Sequence, residues 1–125
     1  MAAGTLVSSG SSLNMPTGSG SERLRRASIA TLNADWQELL SGTAGHIYTI
    51  LSVVFCDQQS ASGTINIRLN NGSNDIFLLT AQSVAADGTF VWNDKFVMEE
   101  DDDLDVYNSV TNGHWWITYI DQDWT

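Results

Sequence analysis

The stretch FVMEEDDDLDVY (96–107) places five consecutive carboxylates, Glu99 to Asp103, between two apolar runs. Carboxylates so placed suit one of three purposes. A hard cation such as calcium needs several oxygens converging on one point. The spacing of a helix–loop–helix calcium loop, with its central glycine and distal glutamate, is absent. A glycosidase pair needs two carboxylates in unlike environments across a cleft, and nothing here marks one as buried. The third purpose is a solvated turn, where like charges repel and water screens them. The turn is the first reading, with a cation site behind it and an acid pair last. In the run that follows, Leu104 and Val106 are expected to point inward and Asp103 and Asp105 outward.

Other chemistry is weaker. His46 and His114 stand alone, and the chain has neither a GxSxG nor an HExxH motif. The one cysteine, Cys56, ends an apolar run and reads as a small buried hydrophobe. No glycine loop has the spacing that cradles phosphate. The expectation is a protein without catalytic residues, metal or cofactor. Five tryptophans ask for a role. Trp92 fits an inward strand face. Trp115 and Trp116 are adjacent, so on a strand they point to opposite faces. Trp36 sits where an N-terminal arm joins the body, and Trp124 lies beyond the last strand, where a contact anchor is common.

Fifteen acids against five bases leave a net charge of −10 at pH 7. Nucleic acid and anionic membrane surfaces would be repelled, so neither is expected as a partner. The start, MAAGTLVSSG, lacks a basic region and a long apolar run, so neither a signal peptide nor a transmembrane helix is expected. At 125 residues the chain suits one domain with a modest core.

Two halves differ in character. Residues 1–45 are rich in Ser, Gly, Thr and Ala, and their Arg23, Arg25 and Arg26 balance Glu22, Asp35 and Glu38. Residues 46–125 hold Arg68 and Lys95 against twelve acids. The first half reads as an extended N-terminal arm that cannot fold alone. It would either stay a tail or be pinned on neighbouring subunits. Its apolar pegs would be Leu6, Val7, Leu13, Met15, Leu24 and Ile29, with Arg23, Arg25 and Arg26 as its charged contacts. On this reading removal of residues 1–30 leaves a folded domain.

The second half reads as a run of strands. HIYTILSVVFCD (46–57) is apolar on both faces, with Ile50 and Val54 opposite Leu51, Val53 and Phe55. A strand apolar on both sides is covered on both sides. Ile50, Val54, Trp116 and Trp124 are therefore candidate interface residues of the body. TINIRLN alternates, and Asn71-Gly72, Asp87-Gly88 and Asn112-Gly113 read as three hairpin turns. DWQELL is read as a strand and SERLRRA as one helical turn capped by Ser21. Many short strands indicate an all-β fold, an antiparallel β-sandwich or jelly roll.

Four segments in this order, TAGHIYTILSVVFCD, GTINIRLNNGSNDIFLL, GTFVWNDKFVMEEDDDLDVY and WWITYIDQDW, follow a Gly/Ser arm. This phrasing resembles small β-sandwich structural proteins of tailed bacteriophages, the head decoration or cement type. The likeness spans roughly residues 45–125 and is one of strand order, without a diagnostic motif. It implies a non-enzymatic virion protein, made in the host bacterial cytoplasm and placed on the outside of the head. It further implies the major capsid protein and copies of itself as partners, often as a trimer. In such proteins the segment like FVMEEDDDLDVY is a turn into a strand, usually less acidic. The alternative is a tail or fibre component that binds a host glycan through an exposed tryptophan.

Overall fold

The computed structural model describes residues 21–31 and 33–125. The described chain is all-β. Nine strands run in order: β1 Ser21–Thr31, β2 Trp36–Ser41, β3 His46–Asp57, β4 Gly63–Asn70, β5 Asp75–Val84, β6 Thr89–Trp92, β7 Phe96–Met98, β8 Asp103–Asn108 and β9 Gly113–Asp123. They form two antiparallel sheets packed face to face. Sheet A has the order β1-β9-β3-β6, with β7 also on β3, and sheet B has the order β2-β8-β4-β5. Because β6 and β7 both pair with β3, they act as one interrupted strand. The chain then pairs from the outside in: β1 with β9, β2 with β8, β3 with β6 and β7, and β4 with β5. That nested pairing is the winding of a jelly roll.

The core lies between the sheets. Strict alternation sends Trp115, Ile117 and Tyr119 of β9 inward, and Leu104 and Val106 of β8 inward against Ile65 and Ile67 of β4. At one end a buried polar network ties the layers together. Asn108, with no exposed surface, accepts hydrogen bonds at Oδ1 from the Thr31 hydroxyl (3.2 Å) and the Trp115 indole N–H (3.0 Å). Its amide donates to the Val110 carbonyl at 2.6 Å.

Four expectations change. The boundary expected at residue 45 does not hold. Residues 21–31 pair with β9 over their whole length, and residues 36–41 pair with β8. The segment looked too poor in apolar residues because β1 is an edge strand that turns only alternate residues, such as Ala27, Ile29 and Thr31, toward the core. For the same reason SERLRRA is strand, not a helical turn. Pairing with β9 overrides the local preference of Glu, Leu and Arg.

Ile50 is not an interface residue. A bulge in β3 between Ile50 and Ser52 shifts the alternation, so Ile50 and Val53 both enter the core. Finally, only one of the three Asn/Asp-Gly signals makes a hairpin. Asn71–Asn74 closes β4 onto β5, with Gly72 at φ +92°. The Asp87-Gly88 and Asn112-Gly113 turns instead carry the chain between sheets, from β5 to β6 and from β8 to β9.

Candidate functional site

The outer faces of the two sheets differ in chemistry. On sheet A, register and alternation set out three rows across the strands. Trp116, Val54 and Val91 lie side by side, with Ser28 beside Trp116. Arg26, Thr118 and Ser52 make a polar row. Leu24, Ile120 and Thr49 run on to Val97. Leu24 is 71% exposed, Val97 50%, Val91 48% and Trp116 36%. A shallow hollow of about 430 Å³ opens beside Trp116, lined by Arg26 and Ser28. Val54 is buried although it lies outside the core cluster, wedged between Trp116 and Val91 on this face.

On sheet B the outer face is acidic and aromatic. Glu38 lies opposite Asp105 in the β2–β8 register, and Asp103 accepts a hydrogen bond from the Ser41 hydroxyl. Arg68 bridges Asp105 (3.3 Å) and Asp75 (3.6 Å) and lies 3.9 Å over the Trp36 ring. Tyr107 and Phe77 pack against the same ring. The pile is a cross-strand brace of stacked and charged contacts.

Burial, with the charges of Asp103 and Asp105, raises the Glu38 carboxyl above its ordinary value. Asp105 is raised as well, chiefly by burial and against the pull of Arg68. A carboxyl raised in the folded state binds its proton more readily there than in the unfolded chain. Its contribution is therefore unfavourable at neutral pH and is relieved as pH falls through the folded value. Glu38→Gln should raise the melting temperature at pH 7, and the advantage should shrink near about pH 4, where wild-type Glu38 is itself largely protonated. Thermal melts of both proteins at the two values check this. An advantage that grows on acidification would reverse the sign.

The acidic run is the connection from β7 to β8 and crosses from sheet A to sheet B. Asp102 closes the turn: its Oδ2 accepts the Glu99 N–H at 2.8 Å, and its own N–H donates to the Glu99 carbonyl at 3.1 Å. Glu99, Glu100 and Asp101 are exposed. Among the described residues no three His, Cys, Asp or Glu side chains gather as they would around a metal ion.

His46 is held from both sides. Its Nδ1 lies 2.7 Å from Asp121 Oδ1, and its Nε2 lies 3.5 Å from Asp123 Oδ1. Arg25 reaches the other Asp121 oxygen at 3.4 Å. Both ring nitrogens thus face carboxylates. Asp123 in turn accepts hydrogen bonds from the Thr125 hydroxyl and N–H, which hold its carboxyl below its ordinary value.

The expected interface residues thus separate. Leu6, Val7, Leu13 and Met15 lie outside the described residues. Arg23, Leu24 and Arg26 are exposed on β1. Arg25 is drawn to Asp121, and Ile29 packs against the core, so Ile29 is no external peg. Val54 and Trp116 share one row of sheet A. Trp124 is only half-buried; its backbone N–H donates to the Gly45 carbonyl at 2.8 Å, and the residue lines a shallow pocket with His46 and Ile47. The Trp36 brace escaped sequence reading. The spacing of Trp36, Arg68 and Phe77 along the chain gives no sign of it, because three different strands bring them together. No helix among the described residues is long and apolar enough to cross a membrane.

No family model matches the chain, and no curated protein matches it. Among solved structures it is similar to a chain from Bacillus endospore appendages, which form a novel family of disulfide-linked pili. The two are 13% identical over 93% of this chain and 100% of that one, with a TM-score of 0.48. A likeness of that strength carries no argument about what this chain does.

Proposed function

We propose that the protein is a non-enzymatic structural component of a virion, a decoration or cement protein on the outside of a tailed-phage head. The observation that carries this reading is the separation of surface chemistry. The outer face of sheet A joins exposed apolar residues to Arg26, with Glu22 the one acid among its described strand residues. The outer face of sheet B sets Glu38, Asp75, Asp103 and Asp105 against the single cation Arg68. A shell-bound protein needs a neutral, apolar side to bury and a charged side to keep in water. The neutral side would lie on the major capsid protein or on further copies of this chain. The acidic side would face solvent. The doubly held His46 fits a role without catalysis.

A matched pair of charge insertions tests the reading. Ser28 and Ser83 are both exposed, one on sheet A and the other on the sheet B strand β5. Ser28→Glu should weaken attachment to isolated heads about tenfold or more, because a charge is then desolvated in the contact. Ser83→Glu should leave it unchanged. Cosedimentation with purified heads measures both, and equal affinity of the two variants would remove sheet A as the binding side.

A second reading has its own support in the hollow beside Trp116, which Arg26 and Ser28 also line. Such a trio suits a sugar ring, and a tail or fibre protein would use it on a host glycan. Binding of the wild type to tails rather than heads, together with glycan binding lost in Trp116→Ala, would favour this reading over the first.

A further inference from the structure

A small pocket lies at the end of sheet A, where β3 begins and its neighbours β7 and β9 end. It measures about 220 Å³ and is lined by Gly45, His46, Ile47, Glu99, Glu100 and Trp124. We propose that it takes one arginine side chain presented by a partner protein. The guanidinium would meet Glu99 and Glu100, and a peptide carbonyl beside it would meet the Trp124 indole N–H. The inference goes beyond the virion reading and needs no capsid. Ile47 pairs with Gln122, two positions past the pairing of Thr49 with Ile120, so the occupant leaves the three rows of sheet A uncovered.

Four observations carry it. First, the Trp124 indole nitrogen is buried and meets no acceptor. A buried donor left unpaired is costly, so it calls for an acceptor from outside the chain. Second, the carboxylates of the pocket have no counter-charge. Among the described residues no Lys, Arg or His lies within ion-pair distance of Glu99 or Glu100. An anion would be repelled here and a cation drawn in.

Third, the same grouping already holds a guanidinium elsewhere on this protein. On sheet B, Arg68 lies 3.9 Å over the Trp36 ring and reaches Asp75 and Asp105. Trp124 with Glu99 and Glu100 repeats that set of one indole and two carboxylates. A planar, weakly hydrated guanidinium suits such a set better than an ammonium does. Fourth, the walls are held in place. A Cβ at Gly42 would collide with the carbonyl oxygens of Glu99 and Glu100, so the β2–β3 turn presses directly on the acidic turn. The Gly42 N–H donates to the Asp102 carbonyl at 2.7 Å, and on the other side the Trp124 backbone N–H holds the Gly45 carbonyl at 2.8 Å. Walls fixed beforehand lose little freedom on binding. The volume falls below the roughly 300–1,000 Å³ of sites for drug-sized ligands, which leaves room for one side chain.

The test uses the whole chain, isotope-labelled, with N-acetyl-arginine amide as the probe. The indole N–H resonances are followed by NMR, and Trp124→Phe identifies the one that belongs to Trp124. That resonance should shift saturably, with a Kd on the order of 1 mM. N-acetyl-citrulline amide has nearly the same shape without the charge, and should bind about tenfold more weakly or worse. Glu99→Gln combined with Glu100→Gln should weaken the arginine probe about fivefold or more while the rest of the spectrum stays in place. No shift at the Trp124 indole, equal binding of the citrulline probe, or undiminished binding by the double variant would overturn the inference. A shift of the Trp36 indole in its place would assign the guanidinium to sheet B and overturn it too. Attachment to heads plays no part in the readout, so the virion reading stands or falls separately.

Discussion

Truncation to residue 32 should destroy the fold, whereas truncation to residue 21 should not. β1 pairs with β9 at eleven consecutive positions. Each ladder bond contributes about 0.5–1.5 kcal/mol net, so the strand's ladder alone is comparable with the ~5–15 kcal/mol that holds a typical domain together. Its loss also opens the edge of β9, exposing the flanks of Trp115, Ile117 and Tyr119. Thr31 leaves with it, taking a hydrogen bond from Asn108 and another from the Gly113 carbonyl. The 32–125 protein should aggregate or show no cooperative transition. The 21–125 protein retains every described strand and should melt as one unit. Urea unfolding of the two fragments decides the matter. A cooperative transition in the shorter fragment would mean that β1 is an accessory strand and would restore the boundary at residue 45.

Asn108→Ala should be the most damaging single substitution in the core. Its carboxamide serves three partners within a site that water does not reach. Removal leaves the Trp115 indole N–H without its acceptor and the Val110 carbonyl without its donor. The Thr31 hydroxyl keeps the Gly113 carbonyl at 3.2 Å. Each orphaned buried group costs about 1–3 kcal/mol, and the small void adds to that. A loss of about 3–5 kcal/mol is expected, much of the stability of a domain this size. Asn108→Asp tests the mechanism. It keeps Oδ1 for Thr31 and Trp115 but turns a charge toward the Val110 carbonyl, so it should be no milder than Asn108→Ala at neutral pH and should improve on acidification. Chemical denaturation at two pH values measures both. A loss under about 1 kcal/mol for Asn108→Ala would show that the site relaxes or admits water.

The strands that alternate cleanly were legible from residues alone. TINIRLN, LDVYNSV and HWWITYI announce one buried face each, and the adjacency of Trp115 and Trp116 already required that they part to opposite sides. The turn reading of Glu99 to Asp103 follows from like-charge repulsion and matches the connection observed between β7 and β8. These are local matters, fixed by a two-residue period and by the sterics of turn residues.

What the tertiary structure decided is which layer each strand joins. A turn signal says that the chain reverses, but not whether it returns in the same sheet. Asp87-Gly88 and Asn112-Gly113 therefore looked like hairpins and are crossings. Edge position decided the fate of residues 21–41, since a strand paired on one side and half in water needs few apolar residues to belong to the fold. A bulge at Leu51 sent Ile50 inward against the simple alternation. The stacking of Arg68 on Trp36 arose because β2 and β4 lie on either side of β8, a proximity that no spacing along the chain encodes. Local periodicity specifies strands and their faces. Only the pairing of distant segments, won by burying Trp115, Phe55 and their neighbours together, places those faces in space.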